Sequence, residues 1–143
     1  MKSTVKNKSI AWHVALWIAQ IALAALFLQA GYMKTFVPID ELSKIIPLAG
    51  DMPILTRFIG IVELLGGVGL ILPALLRIAP VLTILAAYGF ALIMVLALFY
   101  HLFRAEYEAI GTNAVLGMVA GFIAWGRTSR APIRRRIAEP ARI

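Results

Sequence analysis

The chain has 143 residues, of which 62% are hydrophobic, and its mean hydropathy is +0.89. This composition excludes an ordinary soluble domain, and the length favours one compact unit over two. The sequence has no cysteine, which excludes disulfides, cysteine-ligated iron–sulfur clusters and covalently attached haem.

Four apolar runs dominate the chain, at residues 10–33, 54–73, 79–102 and 109–125. A hydrocarbon layer about 30 Å thick requires about 20 apolar residues in a helix. The runs lack the alternation of barrel strands, so helices are the spanning elements that lipid permits. The sequence therefore predicts an all-α polytopic membrane protein, a four-transmembrane-helix antiparallel bundle over residues 10–126.

Besides two short connections, three longer segments lie outside the predicted spans. Residues 1–9 form a basic arm and residues 127–143 a basic tail, while residues 35–53 form the longest connection. Within that connection three apolar residues recur at every third position, bounded by prolines on both sides: Pro38, Ile39, Leu42, Ile45 and Pro47. This spacing predicts a short amphipathic helix in the outer interface.

The net charge of +7 is distributed unevenly across the predicted bundle. Ten basic residues share one side: Lys2, Lys6, Lys8, Arg77, Arg127, Arg130, Arg134, Arg135, Arg136 and Arg142. Four lie on the other: Lys34, Lys44, Arg57 and Arg104. Because cytoplasmic loops carry an excess of lysine and arginine, both termini are expected in the cytoplasm of a cell (inner) membrane protein. The same placement argues against nucleic acid as a partner.

Glu63 is the most informative polar residue because it lies in the middle of the second span. Arg57 precedes it by six residues, which is about 600° of helix rotation, so the two side chains do not share a face. A partner is therefore expected from another helix, with Lys34 and His101 as candidates. Two interpretations stay open: a buried ion pair that fixes helix register, or a proton-handling or ligand-binding carboxylate.

Folding the spans antiparallel collects polar residues in the outer half of the bundle. The predicted ligand-binding cluster comprises Lys34, Arg57, Glu63, His101 and Asn113, with Glu63 as the candidate catalytic residue. No histidine, cysteine or carboxylate set has the spacing of metal ligands, so no metal site is predicted. His13 and His101 fall at opposite ends of the bundle, so one protomer cannot bind a haem between them.

Glycines mark the expected helix contacts. The predicted packing glycines are Gly31, Gly60, Gly66, Gly67, Gly117 and Gly121. Small residues let helix backbones approach closely in lipid. The glycines beside Glu63 are also compatible with a space for a flat ligand. One stripe of the first span is predicted to face the bundle, with Gln20 hydrogen-bonded across helices: Gln20, Ala24, Phe27, Gly31 and Lys34.

Three stretches carry a resemblance to a known family. They are Ala30–Lys34, the run Arg57–Pro73 and the set formed by His101, Glu106 and Asn113. The chain resembles the DoxX and DoxX-like family of small four-helix membrane proteins over about residues 12–125. Relatives often carry glycine before the acidic residue of the third stretch, where this chain has Ala105.

The resemblance implies a link to quinone-coupled oxidation, since the founding members are subunits of a quinol oxidase or a thiosulfate:quinone oxidoreductase. We therefore expect a membrane subunit of a quinone-linked oxidoreductase system that binds quinone or a small lipophilic ligand at the outer polar cluster. Such a subunit has no intrinsic cofactor, and its partner is a soluble or membrane oxidoreductase subunit. The alternative is a non-enzymatic assembly factor or scaffold that uses the cluster as structural glue. Enzymatic activity and homo-oligomerisation stay open.

Overall fold

The structure, a computed structural model, describes residues 2–136 and contains no β-strand within them. The helices in chain order are α1 (Lys2–Phe36), α2 (Ile39–Leu42), α3 (Pro47–Asp51), α4 (Pro53–Leu76), α5 (Val81–Phe103) and α6 (Tyr107–Trp125), followed by a π-helical turn (Gly126–Arg130). The predicted all-α fold class is confirmed.

Among the residues described, four helical segments are long and apolar enough to cross a membrane. They are Ile10–Phe36, Pro53–Leu76, Val81–Phe103 and Tyr107–Arg130. These bounds differ from the predicted spans mainly at the chain ends. Helix α1 starts at Lys2, within the predicted arm, and helical structure continues through Arg130, within the predicted tail. An apolar run measures only the lipid-compatible part of a helix, and polar residues at its ends extend it.

The four long helices form a ring in which each packs on the next. Helix α1 packs on α4, α4 on α5 and α5 on α6, and α6 closes against α1. Lys34 near the end of α1 bonds Glu63, whereas Gln20 bonds Leu70 further along α4, so these two helices run antiparallel. We call the two ends of the bundle the Lys34 end and the Arg127 end.

The connection from α1 to α4 covers the Lys34 end with two short helices. Pro47 and Pro53 start α3 and α4, where a missing N–H is harmless. Leu42 of α2 and Ala49 of α3 are fully buried, whereas Ile45 between them is 67% exposed. The predicted short helix is thus present as α2, and α3 adds a second one that packs on α4.

The α1–α4 contact is close because glycines remove side chains from it. A Cβ on Gly31 would lie 2.8 Å from the Gly60 carbonyl oxygen and 2.9 Å from the Leu64 nitrogen. The opposing glycine is equally confined, since a Cβ on Gly60 would lie 2.7 Å from the Lys34 Cβ. The predicted stripe of α1 faces this contact, with Gln20 and Phe27 buried.

The core beside this contact is aromatic. Phe27 of α1 stacks on Phe90 of α5 with ring centroids 3.7 Å apart, and a Cβ on Gly66 would lie 2.6 Å from the Phe90 ring. A Cβ on Gly117 would lie 3.2 Å from the Met94 Cβ. Gly121 differs from the expectation of a packing glycine, because a Cβ there would meet nothing within 4 Å.

We predict opposite effects of alanine at two of these helical glycines. Gly31→Ala places a methyl group against backbone atoms of α4 that cannot move independently. The free energy of unfolding should therefore fall by about 1–3 kcal/mol or more. Gly121→Ala should be neutral or stabilising by up to about 1 kcal/mol through helix propensity. Unfolding by dodecyl sulfate titration in mixed micelles measures both changes. Equal effects at the two positions would contradict the close α1–α4 contact.

Candidate functional site

The carboxylate of Glu63 is buried between α4 and α1. Lys34 Nζ donates to Glu63 Oε1 at 2.6 Å, and the Glu63 side chain is 1% exposed. Of the two candidate partners, Lys34 forms the pair and His101 does not. Glu63 Oε2 has no hydrogen-bond partner among the residues described. Glu63 Oε2 can therefore accept a hydrogen bond from another donor.

Arg57 holds the end of α1 instead of contacting Glu63. Its Nη1 donates to the Lys34 carbonyl oxygen at 2.7 Å and its Nη2 to the Val37 carbonyl oxygen at 2.6 Å. The last carbonyls of a helix lack intrahelical partners, and a guanidinium satisfies two of them at once. This cap positions Lys34 opposite Glu63, so Arg57, predicted as a member of the ligand-binding cluster, has a structural contact here.

A second polar network joins α3 to the α5–α6 connection. Arg104 donates to Asp51 Oδ2 at 2.5 Å and to Glu106 Oε1 at 2.7 Å. His101 Nδ1 lies 2.7 Å from Glu106 Oε2. The hydrogen bond from Arg104, followed by that from His101, lowers the pKa of the Glu106 carboxyl below its ordinary value. The network fastens α3 over the Lys34 end.

Ala105 gives the connection its geometry. Its φ is 56°, in the left-handed region where a side chain is unfavourable and glycine is not. Glycine would adopt this conformation without that strain. Ala105 still brings Glu106 next to both Arg104 and His101, so alanine at this position keeps the network intact.

A cavity of about 430 Å³ lies beside Glu63 at the Lys34 end. Helices α4 and α5 contribute most of its wall, and the start of α3 covers it. The apolar lining comes from Ile46, Pro47, Leu48, Leu55, Phe58, Ile59, Val62, Ile93, Met94, Leu96 and Ala97. The polar lining comes from Lys34, Glu63, Tyr100, His101 and Asn113. An apolar chamber with a few convergent polar groups is the usual form of a small-molecule site.

On the side of the cavity toward the Arg127 end, α4 and α5 are in close contact. There Thr83 donates to the Gly69 carbonyl oxygen at 3.2 Å, and a Cβ on Gly69 would lie 3.3 Å from the Ala86 Cβ. Phe58 and Leu96 are 62% and 60% exposed, so the cavity opens on the lipid-facing side of the bundle.

The structure brings together four of the five predicted cluster residues around this cavity. Lys34, Glu63, His101 and Asn113 line it, whereas Arg57 does not. The Asn113 amide nitrogen donates to the Ala109 carbonyl oxygen at 2.9 Å. In the part of the chain that the structure covers, no group of three histidine, cysteine or carboxylate residues could hold a metal ion.

The sequence interpretation missed three features of the molecule. Tyr100 lines the cavity, α3 covers it, and Arg127 is buried at the opposite end of the bundle. Arg127 follows the last apolar run directly and looks like the other arginines of the tail, so nothing in the sequence distinguished it. Tyr100 lies near a helix end, a position typical of an interfacial aromatic residue, so its place in the sequence does not indicate a cavity.

The bundle and its cavity define a multi-pass membrane protein with a lipophilic pocket that ends in polar groups. The DoxX-like family matches the chain over residues 18–123. Because this match covers most of the chain, the protein belongs to the DoxX-like family. Neither a curated protein nor a solved structure matches the chain.

We predict that breaking the Lys34–Glu63 pair destabilises the bundle. Lys34→Met leaves a buried carboxylate without its cation, and Glu63→Gln leaves the ammonium without its anion, so each should cost about 3–5 kcal/mol. The double variant should lose less than the sum because neither charge remains. Free energies of unfolding in mixed micelles, with Lys44→Met at an exposed position as the control, measure the coupling. Additive losses would show that the pair contributes nothing.

Proposed function

We propose that this protein binds a quinone, or a lipophilic molecule of similar size, in the cavity beside Glu63 and serves as a membrane subunit of a quinone-linked oxidoreductase system. The observation that carries the proposal is the lipid-facing apolar cavity that ends at the Glu63–Lys34 pair. Its volume of about 430 Å³ suits a ring with part of a hydrocarbon tail. Such a ligand would enter from the bilayer, between α4 and α5.

The polar end of the cavity has groups that match both redox forms of a quinone. A quinone carbonyl accepts hydrogen bonds, which Lys34, Tyr100 or His101 can donate. A quinol hydroxyl donates, and Glu63 Oε2 is an acceptor without another partner in the described chain. The exchange of two electrons and two protons needs a redox partner for the electrons, while Glu63 would pass the protons.

The alternative is a non-enzymatic assembly factor or scaffold. The observation that favours it is the Lys34–Glu63 pair itself, because an ion pair between two helices can have a purely structural role, which is to fix their register. The two functions differ in one respect: a scaffold needs no ligand in the cavity.

We predict that filling the cavity displaces quinone. Ala97→Phe adds a ring to the cavity wall, whereas Val95→Phe adds the same ring two residues away, where the side chain is 50% exposed and does not line the cavity. Lipid extracts of the purified proteins, analysed for quinone by liquid chromatography, should show near-stoichiometric quinone in the parent and in Val95→Phe, and at least about tenfold less in Ala97→Phe. A thermal melt checks that both variants fold.

Glu63→Gln completes the test. If Glu63 passes protons, the fraction of this variant that stays folded, as checked by the same thermal melt, should retain quinone. Quinone reduction by the partner system should then fall by about 10²–10⁴-fold per folded molecule. Absence of quinone from the parent protein, together with a stable protein partner in pull-downs, would favour the scaffold. Equal quinone content in the two phenylalanine variants would contradict the cavity as the site.

We further propose that both termini lie in the cytoplasm of a cell (inner) membrane protein, which puts the cavity in the extracytoplasmic leaflet. The support is the excess of lysine and arginine at the Arg127 end. Single cysteines at Ser3 and Ser129, in this cysteine-free chain, should both resist an impermeant maleimide in intact cells and react after lysis. Labelling of either one from outside would contradict this topology.

A further inference from the structure

The Arg127 end of the bundle contains a buried guanidinium. Arg127 is 1% exposed. Its Nε donates to Gln20 Oε1 at 2.5 Å and its Nη1 to the Ala131 carbonyl oxygen at 3.3 Å, while Nη1 lies 3.2 Å from His13 Nδ1. The Trp17 ring lies 5.3 Å from the guanidinium carbon. These contacts orient the cation, and none of them is with an anion among the described residues.

One nitrogen of this guanidinium is unsatisfied. Arg127 Nη2 is buried and has no hydrogen-bond partner among the described residues. The carboxylates that the structure describes are Asp40, Glu41, Asp51, Glu63, Glu106 and Glu108, and each lies toward the Lys34 end. An uncompensated buried charge is unfavourable, so an anion is expected next to Arg127.

A second cavity, of about 250 Å³, adjoins Arg127. One wall is the start of α5, with Pro80, Val81 and Ile84, and the opposite wall is the segment after the π-helical turn, with Ile133 and Arg135. That segment is fixed across the bundle end, because the Arg136 N–H donates to the Arg77 carbonyl oxygen at 2.9 Å. The cavity therefore has two arginines and an apolar wall.

We propose that Arg127 and Arg135 bind a phosphate-class anion in this second cavity. Guanidinium groups suit phosphate because their planar N–H donors match its oxygens, and the unsatisfied Nη2 supplies the first donor. Arg135 is exposed and supplies a second cation. The apolar residues of α5 beside the arginines fit the glycerol and upper acyl chain of an anionic phospholipid, whose head group lies at this depth of a spanning helix.

The test uses the full-length protein purified in a neutral maltoside detergent. Dioleoyl phosphatidylglycerol, dioleoyl phosphatidylcholine and inorganic phosphate are added separately at matched ionic strength, and the thermal midpoint is measured against concentration. Phosphatidylglycerol should raise the midpoint and phosphatidylcholine should not. A rise with phosphatidylglycerol alone identifies a lipid head group, and an equal rise with inorganic phosphate identifies the free anion.

Arg135→Gln and Arg134→Gln form a matched pair. Both side chains are exposed in the same segment, but only Arg135 lines the cavity. Arg135→Gln should need about tenfold more anion for the same rise, the usual effect of losing one charge-assisted hydrogen bond, and Arg134→Gln should match the parent. Arg127→Gln is less informative because it also removes the bond to Gln20.

Three results would overturn the proposal. The first is the same response of Arg135→Gln and Arg134→Gln. The second is no response of the parent to either anion. The third concerns Glu139, which lies outside the described residues. If Glu139→Gln lowers the thermal midpoint and makes the protein newly responsive to phosphatidylglycerol, then the chain's own carboxylate is the anion beside Arg127.

Discussion

The buried Glu63–Lys34 pair is the constraint on which the arrangement of this membrane protein depends. A carboxylate within a spanning helix is stable only with a partner, and the partner here comes from a different helix. The pair can form because Gly31 and Gly60 let α1 and α4 approach to backbone contact. Arg57 then caps α1 through the carbonyls of Lys34 and Val37, which holds the Lys34 ammonium level with the Glu63 carboxylate.

The same constraint explains where space remains in the bundle. Helix α1 contacts α4 closely at Gly31 and Gly60, α4 contacts α5 closely near Gly69, and the cavity lies between α4 and α5 toward the Lys34 end. The second polar network, which includes Asp51, Arg104 and Glu106, holds α3 beside the cavity. One polar interaction thus both joins two helices and forms the polar end of an apolar cavity, which is why stability and ligand binding are difficult to separate with changes at Glu63 alone.

The two ends of the bundle treat buried charge differently. At the Lys34 end, anion and cation neutralise each other within the protein. At the Arg127 end, a buried cation donates hydrogen bonds to the Gln20 side chain of α1 and to the Ala131 carbonyl oxygen. Both ends bind α1 to the rest of the ring, with Gln20 linking Arg127 to the Leu70 carbonyl oxygen of α4. The polar groups of α1 therefore organise the bundle from both sides.

The sequence by itself determined the number of spanning helices, their antiparallel order and the face of α1 that turns inward, because run length, loop length and helical periodicity follow from bilayer thickness and backbone geometry. It also indicated that Glu63 needs a cation from another helix, since Arg57 lies on a different face. Only the tertiary structure decided between Lys34 and His101, because that choice depends on how close two helices come. It also separated Arg127 from the other arginines of the tail, since burial depends on where α6 ends against α1.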